Sequence, residues 1–474
     1  MFHRGWTLAV VCAATAMLML DIAVVNTALS RIAEDLDAGL SGLQWVVDAY
    51  TLALAATVLS FGSLADRFGR RRLFTIGLAL FTAASAACAA ATSIEVLVAA
   101  RAVQGTGAAI MFAVSLAILA DAFPGAKERA GALAAYGATI GASFAVGPLV
   151  GGALTSGLDW QWIFLVNIPL GLACLWITRA HVRESRDPAA RRVDVPGQVV
   201  LGAGLFLLVL ALLRGNDERW GSALILGGLG GSAVLLAAFL VIERRVAEPM
   251  LPLGLFRNSS FAGAQVAALA ISASFFAIFL YVTLYLQQVL GLSAIEAGLV
   301  YLPATIVIFL VSGASSALGE RLSARVMISV GLALVAAGMG LMTLGGVDSS
   351  WTSLMPGFLV AAVGTGLFNP SVIAVALGSA PPEQSGLAAG VNDTFRQAGI
   401  AVGVAGLGAL VPADAALGGS ATEFVSGLHD AYWVGAGVAL VGAIAAAMLI
   451  RGVRAAEVVG EDAAGVEPAY APAT

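Results

Sequence analysis

Residues Phe61–Phe74 read FGSLADRFGRRRLF. Apolar runs flank this stretch, Leu43–Ser60 before it and Leu73–Thr92 after it. Between them the short joint carries Asp66, Arg67, Arg70, Arg71 and Arg72, with Gly62 and Gly69 as small residues. Membrane loops that stay on the cytoplasmic side collect Lys and Arg. The joint is therefore the basic turn of a membrane hairpin, and its charges set which way the hairpin points.

The rest of the composition agrees. The chain has 474 residues, 59% hydrophobic and 11% charged, with a mean hydropathy of +0.94. A soluble domain averages about 25% charged residues. The composition predicts a polytopic membrane protein in a lipid bilayer. Cys12, Cys88 and Cys174 all fall inside apolar runs and read as small core residues. His3, His181 and His429 are scattered, so no metal cluster is expected. Lys127 is the single lysine and follows Ala126. A phosphate-binding loop needs Gly directly before its Lys. Energy must then come from an ion gradient, a substrate gradient or a partner, not from ATP. No nucleophile–base constellation or cofactor motif is visible, and neither enzymatic activity nor nucleic-acid binding is expected. Met1–Leu20 mimics a signal peptide, but its apolar run continues to Leu29, which predicts an uncleaved first span.

A spanning helix needs about 20 mostly apolar residues. That ruler predicts fourteen spans, near 7–29, 42–62, 73–92, 95–120, 131–154, 162–181, 195–213, 221–242, 260–287, 297–318, 325–345, 354–379, 386–411 and 431–451. With the N-terminus inside, nineteen of the 24 Lys and Arg fall in inside segments and three, Arg31, Arg214 and Arg219, in outside loops. This predicts that both termini are cytoplasmic. The text also repeats. Gly62–Leu80 aligns without gaps on Ser316–Leu334, pairing Asp66 with Glu320, Arg67 with Arg321 and Arg71 with Arg325. Gly105-Thr-Gly107 then matches Gly364-Thr-Gly366. The predicted organisation is a six-helix half over residues 1–181, two inserted helices over 182–258, a second six-helix half over 259–451, and a disordered tail over 452–474. Two related halves around a midplane site are transporter architecture.

Charges inside spans are costly and usually functional. Asp21 lies eight residues before Leu29, about 12 Å deep at helical rise, and reads as a functional acid or as one hydrated close to the outer surface. Arg101 stands about 9 Å below the outer end of the fourth span, and either snorkels outward or sits buried and paired. Asp48, about 8 Å in, fits either a hydrated rim or a functional acid. Trp45 and Tyr50 beside it read as interfacial belt residues. Two acids against one Arg leave one carboxylate uncompensated, free to take up and release a proton. In the fifth span Gly137, Gly141, Gly147, Gly151 and Gly152 form two Gly-xxx-Gly faces for close packing, and Pro148 permits a kink. Trp160 and Trp162 read as interfacial anchors. Asn167 reads as a substrate contact or a helix–helix hydrogen bond. Candidates for a substrate cavity are Asn26, Gln104, Tyr281, Tyr285, Asn369 and Asn392. Asp393 and Arg396, three apart on one helix, form either a structural charge pair or a gate.

With these residues in view, the chain resembles the major facilitator superfamily, and within it the fourteen-span drug:proton antiporters of the EmrB/QacA type. The resemblance rests on Leu20-Asp21…Asn26, Phe61–Arg72, Arg101…Gly107, Gly137–Gly152 and Trp160–Gly171. It implies an all-α major facilitator fold and proton-driven export of amphipathic compounds, drugs or antibiotics, by alternating access, by a monomer in a bacterial cytoplasmic membrane. It further implies proton coupling at Asp21 and Arg101, gating by the loop motif through Asp66 and Arg67, and an antiport motif at Gly147 and Pro148. Two departures stand out: Ala23 where the family often has Thr, and Ser323 and Ala324 facing Gly69 and Arg70 in the second repeat. The rival readings are an uptake transporter for a small metabolite and a non-transporting membrane sensor or assembly protein.

Overall fold

The computed structural model describes residues 2–186, 194–215, 218–319, 321–381 and 384–451. The tail expected to be disordered, and Glu320 of the repeat, lie outside them.

Inside hydrocarbon every backbone N–H and C=O must be satisfied within the chain, so long apolar runs become helices. Fourteen long helices follow one another among the described residues. They are α1 (Phe2–Asp35), α2 (Leu40–Phe68), α3 (Arg70–Ala89), α4 (Ile94–Ala122), α5 (Ala126–Gly157), α6 (Trp162–His181) and α7 (Val195–Arg214). Then come α8 (Ala223–Arg245), α9 (Ser259–Val289), α10 (Ala294–Gly319), α11 (Ala324–Met342), α12 (Met355–Gly378), α13 (Ser385–Gly408) and α14 (Ala421–Leu449). Polar caps start several of them: Ser93 accepts from the Val96 N–H at 3.4 Å, and Ser420 from that of Glu423 at 3.3 Å. Within α9, Ser272–Phe276 and Tyr285–Val289 are π-helical turns, which widen the helix locally.

Twelve of these helices are long and apolar enough to cross a membrane, and thirteen if the two limbs of α5, bent by 45° between Ser143 and Val146, count as one span. The number differs from the fourteen expected. The helix that falls short is α13, whose Asn392, Asp393, Arg396 and Gln397 lower its hydropathy. The bend in α5 has a local cause. Pro148 lacks the N–H that would reach back one turn, and its ring crowds the carbonyl there.

Packing follows a pattern. Among the first six helices, α1 packs on α5 and α6, α2 on α4, and α3 on α4 and α6. Eight helices later the same pairs recur: α9 on α13 and α14, α10 on α12, and α11 on α12 and α14. The aligned glycines behave alike. A Cβ on Gly77 would stand 3.1 Å from the Gly107 carbonyl, and one on Gly331 2.7 Å from that of Gly364. The two groups meet along two seams, α5 on α10 and α2 on α13. The remaining helices, α7 and α8, pack on each other, and α7 also packs on α2 and α13. Only 17% of the apolar stretch of α8 is buried, so this helix faces the surroundings.

Candidate functional site

The centre of the first six helices is a sealed polar cluster. Asp21 of α1 and Arg101 of α4 form a direct ion pair between Arg101 Nη1 and Asp21 Oδ2, with side chains 0% and 2% exposed. Gln104, one turn on from Arg101, accepts from Arg101 Nη1 at 2.7 Å and donates to Asp21 Oδ1 at 2.8 Å. Its amide also donates to Ser85 Oγ of α3 at 2.9 Å. Asn167 of α6 donates to Asp21 Oδ1 at 3.2 Å. Arg101 Nε donates to the Val46 carbonyl of α2 at 3.1 Å, and its guanidinium lies 4.3 Å from the Tyr50 ring centroid. Five helices thus meet at one ion pair.

Buried and paired, Arg101 does not snorkel. Asp48 is also fully buried, so it is no rim residue, and neither of its carboxylate oxygens has a hydrogen-bond partner. Tyr50, expected in an interfacial belt, is instead buried under the guanidinium. Of the two readings of Asn167, the structure realises the helix–helix hydrogen bond. Ser85 escaped notice in the sequence, because a lone Ser in an Ala-rich run gives no signal of its partners. Trp160 is likewise interior, 1% exposed, and donates to Asp35 Oδ2 at 2.8 Å.

The candidate cavity residues divide. Gln104 belongs to the ion-pair cluster. Tyr281 accepts from Gln44 Nε2 at 2.8 Å and donates to the Val404 carbonyl, tying α9 to α2 and α13. Tyr285 donates to the Gly346 carbonyl at 2.7 Å, in the turn after α11, and Asn392 donates to Gln265 Oε1 at 3.1 Å. Each of these residues spends at least one polar atom within the protein. Asn26 and Asn369 are half-buried; among the described residues Asn26 bonds only its own helix, at 3.4 Å to the Ile22 carbonyl, and Asn369 Oδ1 has no partner. A cavity of about 570 Å³ lies elsewhere, at the N-terminal face, lined by Arg4, Asp121, His181 and Arg183.

The expected Asp393–Arg396 pair is not closed into a contact ion pair. Arg396 instead reaches the Phe276 ring, at 5.8 Å, and Asp393 Oδ2 has no hydrogen-bond partner. Side chains three apart on a helix can diverge when a neighbouring helix offers one of them a different contact.

The loop motif is a clamp. Asp66 binds Arg70, not Arg67, through Nε at 2.8 Å and Nη2 at 2.8 Å. Arg67 lies over Phe68, 5.6 Å from its ring. The segment after α6 closes over the turn: Ser185 O accepts from the Arg70 N–H at 2.9 Å, and Glu184 Oε1 accepts from the Arg71 N–H at 3.0 Å. Gly62 has open space around its Cα. Gly69 has φ +112°, and a Cβ there would stand 2.6 Å from Glu184 Oε1. Gly69→Ala is therefore expected to destabilise by about 1–3 kcal/mol, the range for a non-Gly residue in such backbone, measurable by thermal unfolding in detergent.

The fifth-span glycines also divide. Gly147 abuts Ala23 of α1, and a Cβ on Gly151 would stand 2.8 Å from Val24 Cα. A Cβ on Gly152 would stand 2.8 Å from Ile295 Cα of α10, and one on Gly298 of α10 would overlap the Pro148 carbonyl. Gly137 and Gly141 have nothing within 4 Å. Close packing holds for the second face alone. At this far end the Ile295 N–H donates to Ser156 Oγ at 3.0 Å across the α5–α10 seam, and Gln287 Nε2 of α9 donates to the Thr27 carbonyl of α1 at 2.9 Å.

Comparison with known proteins places this geometry. The chain is 37% identical over 400 residues to the multidrug resistance protein Stp of Mycobacterium tuberculosis, covering 84% of this chain and 74% of that protein. It is 35% identical over 431 residues to the cephamycin export protein CmcT of Amycolatopsis lactamdurans, covering 90% and 88%. Its fold is similar to that of a crystallised peptide transporter POT bound to sulfate, with TM-score 0.66 and 15% identity over 94% of this chain and 96% of that one. The Major Facilitator Superfamily model matches residues 11–404. This chain is a multi-pass membrane protein belonging to the Major Facilitator Superfamily.

Proposed function

We propose that the protein is a proton-driven exporter of amphipathic compounds, antibiotics among them, working by alternating access in a bacterial cytoplasmic membrane. The names of its relatives support export: a multidrug resistance protein and a cephamycin export protein. The observation that carries the proton is the charge balance of the first six helices. One cation, Arg101, neutralises Asp21, and Asp48 is left buried with both oxygens unpartnered. An isolated carboxylate anion is expensive to hold out of water, so Asp48 gains most from binding a proton and releasing it when the site opens.

In this reading the chain crosses the membrane fourteen times, with α5 and the polar α13 as the crossings beyond twelve, and both termini are cytoplasmic. The recurrence of helix pairs eight helices apart supports two six-helix halves, with α7 and α8 inserted between them. The clamp of Asp66, Arg70 and Arg71 on the segment after α6 is the cytoplasmic gate. Half-buried Asn26 and Asn369 are the polar contacts left to a substrate, and one chain holding both halves suffices to transport.

The test uses inverted vesicles with an inside-acid pH gradient. Substrates from a dye and antibiotic panel are expected to dissipate the gradient with wild-type protein, and at least tenfold less with Asp48→Asn or Asp21→Asn. Substrate accumulation that proceeds with no proton movement would overturn the antiport reading.

A further inference from the structure

Two acids sit apart from the ion-pair cluster and from every residue given a transport role. Asp194 caps the start of α7, where its Oδ1 accepts from the Gly197 N–H at 2.9 Å. Glu243 lies in the last turn of α8, and its Oε2 accepts from the Leu251 N–H at 3.0 Å. Each carboxyl thus spends one oxygen on the backbone. The other two oxygens, Asp194 Oδ2 and Glu243 Oε1, have no hydrogen-bond partner, although the residues are 4% and 3% exposed.

These two orphan oxygens converge. A Cβ on Gly197 would overlap Asp194 Oδ2 and stand 2.9 Å from Glu243 Oε1. Only a glycine leaves room for both. No ion pair reaches either acid among the described residues. Arg244 and Arg245, beside Glu243 in sequence, are exposed. On α2 and α13, the helices packed against α7, the charged groups are Asp48, Asp66, Arg67, Asp393 and Arg396; Asp66 is held by Arg70, and none bonds either carboxyl. Two buried carboxylates in such proximity do not both remain ionised.

We propose that Asp194 and Glu243 share one proton, and that this acid–carboxylate hydrogen bond latches the base of the α7–α8 hairpin to the link over residues 246–258. One proton turns one oxygen into a donor and leaves the other an acceptor, so both orphans are satisfied at once. Such O–H···O⁻ bonds are among the strong ones. A metal fits less well. Calcium takes about 6–8 oxygen ligands, and no cluster of three or more His, Cys, Asp or Glu able to hold a metal occurs among the described residues. The latch gives the inserted helices a defined attachment to the chain on both sides, and it is independent of the transport reading.

The test is an infrared pH titration of the purified protein in detergent. Wild type is expected to show a protonated-carboxyl band that disappears as the pH rises, and that same band is absent from both Asp194→Asn and Glu243→Gln. Each amide brings an N–H to the place of the shared proton, so both variants keep the contact. Thermal unfolding gives the second readout. The native pair holds a proton that the unfolded acids release, so wild-type stability falls as pH rises through the titration, and this component is lost in both variants. Persistence of the band in either variant overturns the proposal. Two arms need no variant: a wild type without any such band, or one whose unfolding midpoint is raised at fixed pH by sodium or calcium with loss of the band, overturns it as well.

Discussion

Arg101→Ala is expected to destabilise the protein by about 3–5 kcal/mol, because removing one partner of a buried pair strands the other charge. Asp21 would keep its bonds from Gln104 and Asn167 but lose its only cation. Val46 O would lose its side-chain donor and Tyr50 the guanidinium over its ring. The drop is read as a fall in the unfolding midpoint in detergent. Adding Asp21→Asn to Arg101→Ala removes both charges and is expected to recover most of that stability. Transport stays absent in the double variant. If Arg101→Ala unfolds like wild type, the pair is not ionised and the assignment of Asp48 as the uncompensated acid falls with it.

The second large effect lies on α5. Gly151→Ala forces a methyl into the α1 backbone at Val24, and overpacking of this kind costs about 1–3 kcal/mol. Gly152→Ala presses on Ile295 of α10 instead. It leaves the packing of α5 on α1 alone and opens the seam between the two groups of helices. Its expected signature is a change in accessibility: an Ala294→Cys probe, buried at the start of α10 against Gly152, labels faster when Gly152→Ala is present. Gly137→Ala is expected to have no such effect, since its Cβ would meet nothing within 4 Å. Equal labelling in all three backgrounds would show that the seam does not depend on the Gly152 contact.

The sequence by itself determined the membrane character, the helices and the repeat, because these follow from local rules: run length, turn charge and gapless alignment. It also singled out Asp21, Asp48 and Arg101, because a charge in an apolar run stands out whatever its neighbours are. Only the tertiary structure decided how those charges are shared. Asp21 and Arg101 are eighty residues apart, and Ser85 and Asn167 complete the cluster from two further points along the chain. Nothing in local spacing says that Asp48 is passed over or that Glu184 closes on Gly69, whereas Asp66 taking Arg70 in place of Arg67 is an i,i+4 pairing that spacing does favour. The same holds for the fifth-span glycines, where identical spacing gives one face in contact and one in open space, because the bend before Pro148 carries the two limbs of α5 past different neighbours. Helix-forming tendency is a property of a stretch of chain, whereas pairing of buried charges depends on which helices the fold brings together.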